Sequence, residues 1–322
     1  MDPQPNNPVL VVGAPRSGTT WVEQALGHTE GAHVVHEPDN ETCDPFAFPA
    51  KVFLGRFPVL GADDVGPPEC VDLWNRAFAG RVHRNSPRWL SAKVLLKTAG
   101  PDLDAALDQA IRRLSPRLRL VGALAPAPSS LGRSTQVVVK SVHACLAVEW
   151  IARRFQPTVL VVRRHPLSVV ASYVELGWRD SGLHRHPLLP QGVSPWPRIP
   201  PLAPGASSVA RIAWQVGLFT SALDAALERN PHWHVVSHEA LCRQPEIGFR
   251  SLSTRLGLTW GPAAAQLLAS SNRPGTGLAT RRVAAEQPDT WRKRLSPGQI
   301  DEAGGVLSRF PASAGRSADP VR

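Results

Sequence analysis

Methionine and tyrosine are almost missing from this chain, with one of each among 322 residues. A single Tyr and no RNP-like aromatic motif argue against the base-stacking surfaces of RNA-binding modules. Cysteine is sparse as well. Cys43, Cys70, Cys145 and Cys242 are scattered. No C-x-x-C spacing points to zinc and no dense pattern points to a disulfide framework, so a reducing, cytoplasmic setting is expected. No run approaches the roughly eighteen apolar residues of a membrane span. The first residues, Met1-Asp-Pro-Gln-Pro-Asn-Asn-Pro8, lack the basic and apolar regions of a signal peptide. Lysine is scarce too, at five of the 36 basic residues.

What the chain has is arginine, alanine and proline. Its formal charge is +10. The basic residues are spread rather than clustered, and the Arg/Ala/Pro bias is that of a GC-rich coding genome. Nucleic acid is therefore not the expected partner. Hydrophobic content of 43% supports a sizeable core. The length suits one large α/β domain or two small ones.

The most informative run is Val9-Leu-Val-Val12 followed by Gly13-Ala-Pro-Arg-Ser-Gly-Thr-Thr-Trp21. Four apolar residues predict a buried strand. Gly13 to Gly18 predicts a tight turn, and a helix opens at Thr19 with Val22 and Leu26 on one face. Such a turn aims backbone N–H groups and the positive end of a helix at one spot, which binds phosphate or sulfate. The layout is that of GxxxxGK[ST], except that Thr19 stands where the Lys belongs. Arg16 is the loop's only cation. An ATP-dependent kinase wants that Lys, together with a Ser/Thr and an Asp for Mg²⁺. The next strong strand, residues 158–162, runs into Arg163 and Arg164 instead of an Asp. Metal-free transfer of an already activated anionic group fits better. The bland alternative is a glycine-rich turn that merely joins strand to helix.

A second constellation is Arg164-His-Pro-Leu-Ser-Val-Val-Ala-Ser-Tyr173. Pro166 suits the first turn of a helix. Arg164 then ends a strand, where open α/β sheets place ligands. Ser172 lies about two helical turns on and shares that side. A guanidinium fork and a hydroxyl make a second phosphate site; the alternative is an Arg164 paired with a local carboxylate.

Around these motifs the chain alternates. Strands are expected over 32–35, 136–139, 158–162 and 234–237. Helices are expected over 102–114, 145–155, 167–176 and 209–227, and near 245–256. Alternation of this kind predicts an α/β fold with a central parallel sheet flanked by helices. Residues 42–130 show no clear strand alternation. Residues 177–208 are proline-rich and predict an irregular loop. The ends, 1–7 and 311–322, read as disordered around a single domain over 8–310.

The residues now resemble the sulfotransferases that use 3′-phosphoadenosine 5′-phosphosulfate (PAPS), whose fold is P-loop NTPase-like. Pro15-Arg-Ser-Gly-Thr-Thr-Trp21 is similar to that family's 5′-phosphosulfate loop, and Arg164 through Ser172 to its 3′-phosphate motif. The resemblance implies that Arg16, Ser17, Gly18, Thr19 and Thr20 cradle the 5′ end. It implies Trp21 near the adenine, and Arg164 and Ser172 on the 3′-phosphate. Arg in place of the cytosolic members' Lys is similar to other branches, including the tyrosylprotein enzymes. It further implies a basic segment upstream of a Trp that closes over the 3′-phosphate. Arg281 and Arg282, before Trp291, stand there, although the family's Arg-Lys-Gly form is missing and a solvated basic helix is the alternative. No metal is implied.

Sulfuryl transfer needs a base for the acceptor's proton and cations for the leaving phosphate. Glu37 follows an apolar run at a spacing from Arg16 similar to that of the tyrosylprotein branch's glutamate, and a raised pKa is expected for it beside an anionic sulfate. Its alternative is a salt bridge to Arg16 or a helix cap. His143 resembles the base of the cytosolic members with one residue inserted; its alternative is a helix start. His36 is a third candidate. Lys140, at a strand end, is placed on the bridging or leaving oxygen, with a surface role as its alternative. His238 and Glu239 end another strand at the same sheet edge and read as a capping pair; the alternative is that they line the acceptor pocket. The acceptor is expected to be a small molecule, glycan or lipid, with 42–130 and 177–208 building its pocket. The competing readings are a P-loop kinase of small molecules and a non-catalytic nucleotide-binding module.

Overall fold

Every residue of the first strand is buried, because both faces of the sheet are covered. The structure is a computed structural model and describes residues 7–81, 91, 136–187, 189, 199–275 and 281–311. In chain order the described elements are β1 (Val9–Val12), α1 (Thr19–Gly27), β2 (Ala32–His36), α2 (Phe48–Leu54), α3 (Pro68–Phe78), β3 (Gln136–Ser141), α4 (Val148–Phe155), β4 (Thr158–Arg163), α5 (Pro166–Glu175), α6 (Ser208–Arg229), β5 (His234–Ser237), α7 (His238–Arg243), α8 (Pro245–Arg255), α9 (Pro262–Ser271), α10 (Trp291–Arg294) and α11 (Pro297–Leu307).

The five strands are all parallel, in the order β2-β3-β1-β4-β5. Val9 sits opposite Val138 on one side and Thr158 on the other. Side chains alternate across the sheet, and the core divides accordingly. Val9, Val11, Val138, Leu160 and Val162 pack with Val22 and Leu26 of α1 and Phe249 of α8. Leu10, Val12, Val139, Val159 and Val161 pack with Trp150 and Ile151 of α4 and Phe219 of α6. The architecture is thus the expected α/β fold with a central parallel sheet and helices on both faces.

Parallel strands put all their carboxyl ends on one edge. Here that edge carries Val12, His36, Ser141, Arg163 and Ser237. The step from β3 to β4 passes from one side of β1 to the other. A crevice opens at such a reversal of strand order. The glycine loop, residues 13–18, leaves β1 directly into it.

Boundaries differ in informative places. β3 runs on to Ser141, so Lys140 lies within the strand rather than after it. The helix expected over 145–155 is a 3₁₀ turn, Ala144–Leu146, followed by α4. Within 42–130, α2 and α3 are regular helices; Cys70, Leu73, Trp74 and Ala77 form the buried face of α3. Prolines open both helices, where a missing N–H costs nothing. Loop 177–208 contains a short 3₁₀ turn, Leu183–Arg185. The helix expected over 102–114 lies outside the described residues, as does nearly all of both expected disordered ends. Among the described residues, no helix is long and apolar enough to cross a membrane.

Candidate active site

The phosphate loop is shaped by two glycines. A Cβ on Gly13 would lie 2.7 Å from the Val162 carbonyl oxygen. A Cβ on Gly18 would lie 2.4 Å from Cδ2 of His238, and Gly18 has φ +94°. Only glycine meets both demands at low cost. Gly18 is the N-cap of α1 and no side chain caps the helix. The first backbone bonds of α1 run from Trp21 and Val22 back to the Gly18 carbonyl. The N–H groups ahead of them point out of the helix end, as an anion requires. Arg16 has φ +73°, a conformation rare for a side chain of its size.

The two motifs interlock. Arg16 Nε donates to Ser172 Oγ at 2.9 Å. Arg164 Nη1 donates to the Arg16 carbonyl at 2.9 Å. Arg16 also lies 5.6 Å from the ring centre of Trp178, within cation–π range. Burial lowers the Arg16 pKa, and the charges of Arg282 and Arg294 push the same way against Tyr173 and Glu175. Burial likewise brings Arg164 down to about 10, with Arg16 and Arg294 adding to the shift and Glu239 opposing it. Arg16, Arg164 and Arg282 are thus disfavoured as cations by burial and by neighbouring arginines. Arg164 Nε and Ser17 Oγ are buried with no hydrogen-bond partner. An anion at this point would relieve the repulsion.

Glu37 closes the opposite side. Lys140, 1% exposed, donates from its ammonium to Glu37, as does the Asn40 side-chain amide. Glu37 has φ +45°, so its backbone is held in the left-handed region. Burial acts to raise its pKa, but the Lys140 charge and hydrogen bond, with those of Asn40 and His36, outweigh it. The net shift is downward. Without an anion present the Lys140 cation dominates; the raised value is expected beside an anionic sulfate. The geometry corrects two alternatives, since the ion pair of Glu37 is to Lys140 and Lys140 is no surface residue. His36 Nδ1 lies 2.7 Å from Glu23. Burial opposes its charge, yet hydrogen bonds to Cys43 and Glu23 push its pKa up to about 9. At neutral pH it is already protonated and unfit as a base. His143 is buried against Phe57 and lies 2.8 Å from Lys51. Burial first, then the Lys51 and Arg56 charges, hold its pKa well below the usual histidine value.

A cavity of about 640 Å³ joins these groups. It is lined by Arg16, Gly18, Thr19, Thr20, Trp21, Glu37, Lys140, His143, Arg164, Ser172 and Arg282. Two candidates stand apart. Ser17 faces a smaller cavity of about 160 Å³ behind the loop. Arg281 is exposed and does not line either space. His238 lines the main cavity, edge-on to Trp21 at 5.8 Å, so it is more than a capping residue. Glu239 does bond the backbone, accepting from the His165 N–H at 2.9 Å.

Sequence reasoning missed several lining residues: Asn40, Arg56, Tyr173, Gln215 and Arg294. Gln215 carried a signal, as one polar residue in the otherwise apolar run 212–216. It is buried and accepts from the Ser181 N–H at 2.6 Å, tying loop 177–208 to α6. Among the described residues, His36, Glu37 and Cys43 have metal-type donor atoms within 4.8 Å of one another. Lys140 and the His36 proton already neutralise that group.

A profile of the sulfotransferase family matches residues 8–262. That span includes the loop, both interlocked motifs, and Glu37, Lys140 and His143. The chain belongs to the sulfotransferase family. A search of curated proteins finds no significant match. Among solved structures, this sulfotransferase-family chain is similar to the sulfotransferase domain of the curacin biosynthetic pathway (13% identity, 96% of this chain and 99% of that one, TM-score 0.47). It is similar to the sulfotransferase domain of the Synechococcus PCC 7002 olefin synthase (14%, 97% and 99%, TM-score 0.48). It is also similar to sulfotransferase STF9 from Mycobacterium avium (14%, 96% and 78%, TM-score 0.41). Likeness at this level says nothing of what this chain binds.

Proposed function

We propose that this protein transfers a sulfuryl group from PAPS to a hydroxyl or amine of an acceptor. The observation that carries this reading is the convergence of Arg16, Arg164, Arg282 and Arg294 on the uncapped start of α1. Burial and neighbouring charge disfavour the cations of Arg16, Arg164 and Arg282, and a donor with a 5′-phosphosulfate and a 3′-phosphate supplies counter-charge. The arginine side chains present donors in fork geometry. Arg163, at the end of β4, is paired with Asp224. That arrangement disfavours ATP–Mg²⁺ chemistry.

The residues divide the work. The N–H groups of Gly18, Thr19 and Thr20 and the Arg16 guanidinium hold the 5′ end. Arg164 and Ser172 hold the 3′-phosphate, with Arg282 closing over it. Trp21 lies beside the base. Lys140 neutralises charge growing on the bridging oxygen as its bond to sulfur breaks. Glu37 takes the proton from the acceptor as the new bond to sulfur forms. The products are the sulfated acceptor and adenosine 3′,5′-bisphosphate. A single domain over 8–310 carries this chemistry, with 42–130 and 177–208 on the acceptor side. The four cysteines, none in a disulfide, suit a reducing cytoplasm.

Sulfur-radiolabelled PAPS offered with a panel of phenols, alcohols, amines and glycans tests the reading. Label should move to at least one acceptor without added metal. Binding without any transfer across the panel favours a non-catalytic module, and no binding ends the proposal. The two phosphate sites are separable. Arg164→Ala or Ser172→Ala should weaken adenosine 3′,5′-bisphosphate far more than adenosine 5′-monophosphate, because only the former carries the 3′-phosphate. Equal losses by calorimetry would make Arg164 a structural support for the loop.

A further inference from the structure

Behind the His143 wall of the cavity lies a buried polar cluster that phosphate binding does not use. Lys51 of α2 is 2% exposed. Its ammonium donates to the Arg56 carbonyl and lies 2.8 Å from Nδ1 of His143. The Asp39 carboxylate accepts from Ser141 Oγ at 2.9 and 2.8 Å. Ser141 Oγ in turn accepts from the backbone N–H of His143 at 3.1 Å and of Ala144 at 3.0 Å. Phe57 meets the His143 ring edge-on at 4.9 Å. The imidazole is therefore held at its backbone, its face and one nitrogen.

We infer that Lys51 is a positioning residue: by donating to Nδ1 it fixes His143 in the tautomer that carries its hydrogen on Nε2. An ammonium has three hydrogens and no lone pair, so the nitrogen facing it must present its own lone pair. In a neutral imidazole the hydrogen then resides on the other nitrogen. An Nε2–H group donates a hydrogen bond and has no lone pair with which to take a proton. His143 thus steadies a reacting oxygen, and the acceptor's proton goes to Glu37. This division of labour rests on the sulfuryl-transfer reading; the tautomer itself does not.

The charged surroundings support a neutral ring. Lys51 from α2, Arg56 from the following loop and Lys140 from β3 all face His143, and each disfavours a second proton on it. The Asp39 carbonyl, 3.4 Å from the same Nδ1, favours a hydrogen on that nitrogen, but the Lys51 contact at 2.8 Å is the shorter and outweighs it. Burial pulls the Lys51 pKa down, while Asp39 and Glu41 work to keep the ammonium charged. Were the amine neutral, it would accept from Nδ1–H and the opposite tautomer would follow.

The test is a long-range ¹H–¹⁵N spectrum of the full chain with labelled histidine, with no donor or acceptor present. The His143 ring is assigned by its loss in His143→Gln. The expected result is a protonated Nε2 and an unprotonated Nδ1, unchanged across about pH 5–8. Lys51→Met should remove the donor, so that the Asp39 carbonyl is left as the partner of Nδ1 and ring signals shift toward the tautomer with its hydrogen there. A hydrogen on Nδ1 in the parent protein overturns the inference. So does a His143 signature unmoved in folded Lys51→Met. If Lys51→Met does not fold, the parent spectrum still decides. A protein that shows the Nε2–H ring but never transfers sulfuryl groups keeps this inference and loses the functional one.

Discussion

Glu37→Gln is expected to bind adenosine 3′,5′-bisphosphate normally and to lose turnover by about 10²-fold or more. Glutamine keeps the shape of the side chain and an oxygen for Lys140, but it has no basicity. The pH profile carries the same argument. Lys140 holds the Glu37 pKa down against burial, and the base is active only when ionised. In the free enzyme kcat/KM should therefore fall only as pH drops below the ordinary glutamate value of about 4.3. Once donor anions occupy Lys140, its hold on Glu37 weakens and the carboxyl pKa rises. The acid limb of kcat should thus lie at higher pH than that of kcat/KM. If Glu37→Gln stays active while His143→Ala is dead, the histidine is the base and the division of labour between His143 and Glu37 falls, while the tautomer is still decided by the spectrum. If both stay active, the acceptor arrives already nucleophilic.

Arg16→Ala should cut turnover by about 30- to 1000-fold, the loss of roughly 2–4 kcal/mol at a transition state. Arg16 is the one cation inside the loop, it reaches Ser172, and its backbone carbonyl anchors Arg164. The carbonyl survives the substitution, so the interlock between the two motifs persists. The unfolding midpoint should change little, because the lost side chain was destabilised by burial and by its neighbours. Arg16→Lys keeps the charge but not the fork, and it should recover only part of the rate. Near-normal turnover in Arg16→Ala would remove Arg16 from the chemistry.

The sheet was legible in the sequence because its strands are buried on both faces. Runs such as Val9-Leu-Val-Val12 and Val159-Leu-Val-Val162 have few other uses. The glycine loop was legible because Gly13 is crowded by the Val162 carbonyl and Gly18, at positive φ, by the His238 ring, which leaves a spacing behind. Arg164 and Ser172 were legible for a similar reason: a strand end and a Pro166-led helix fix where they stand. What depended on long-range pairing was not. Lys140 and Glu37 are 103 positions apart, and nothing in either local sequence announces the other. The downward shift of Glu37 in the anion-free site was hidden for that reason. Lys51 left a trace as a lone charge within Phe48-Pro-Ala-Lys-Val-Phe-Leu54, but its partner lies 92 positions away. The face of α3 was readable at Cys70, Leu73, Trp74 and Ala77; the surrounding prolines hid it.

The most direct test of the whole account is a calorimetric titration of the purified chain with adenosine 3′,5′-bisphosphate and with ATP, each with and without Mg²⁺. A sulfuryl-transfer site predicts that the bisphosphate binds more tightly than ATP and that Mg²⁺ leaves its affinity unchanged. Tighter binding of ATP that requires Mg²⁺ would contradict the account and place the loop among the kinases.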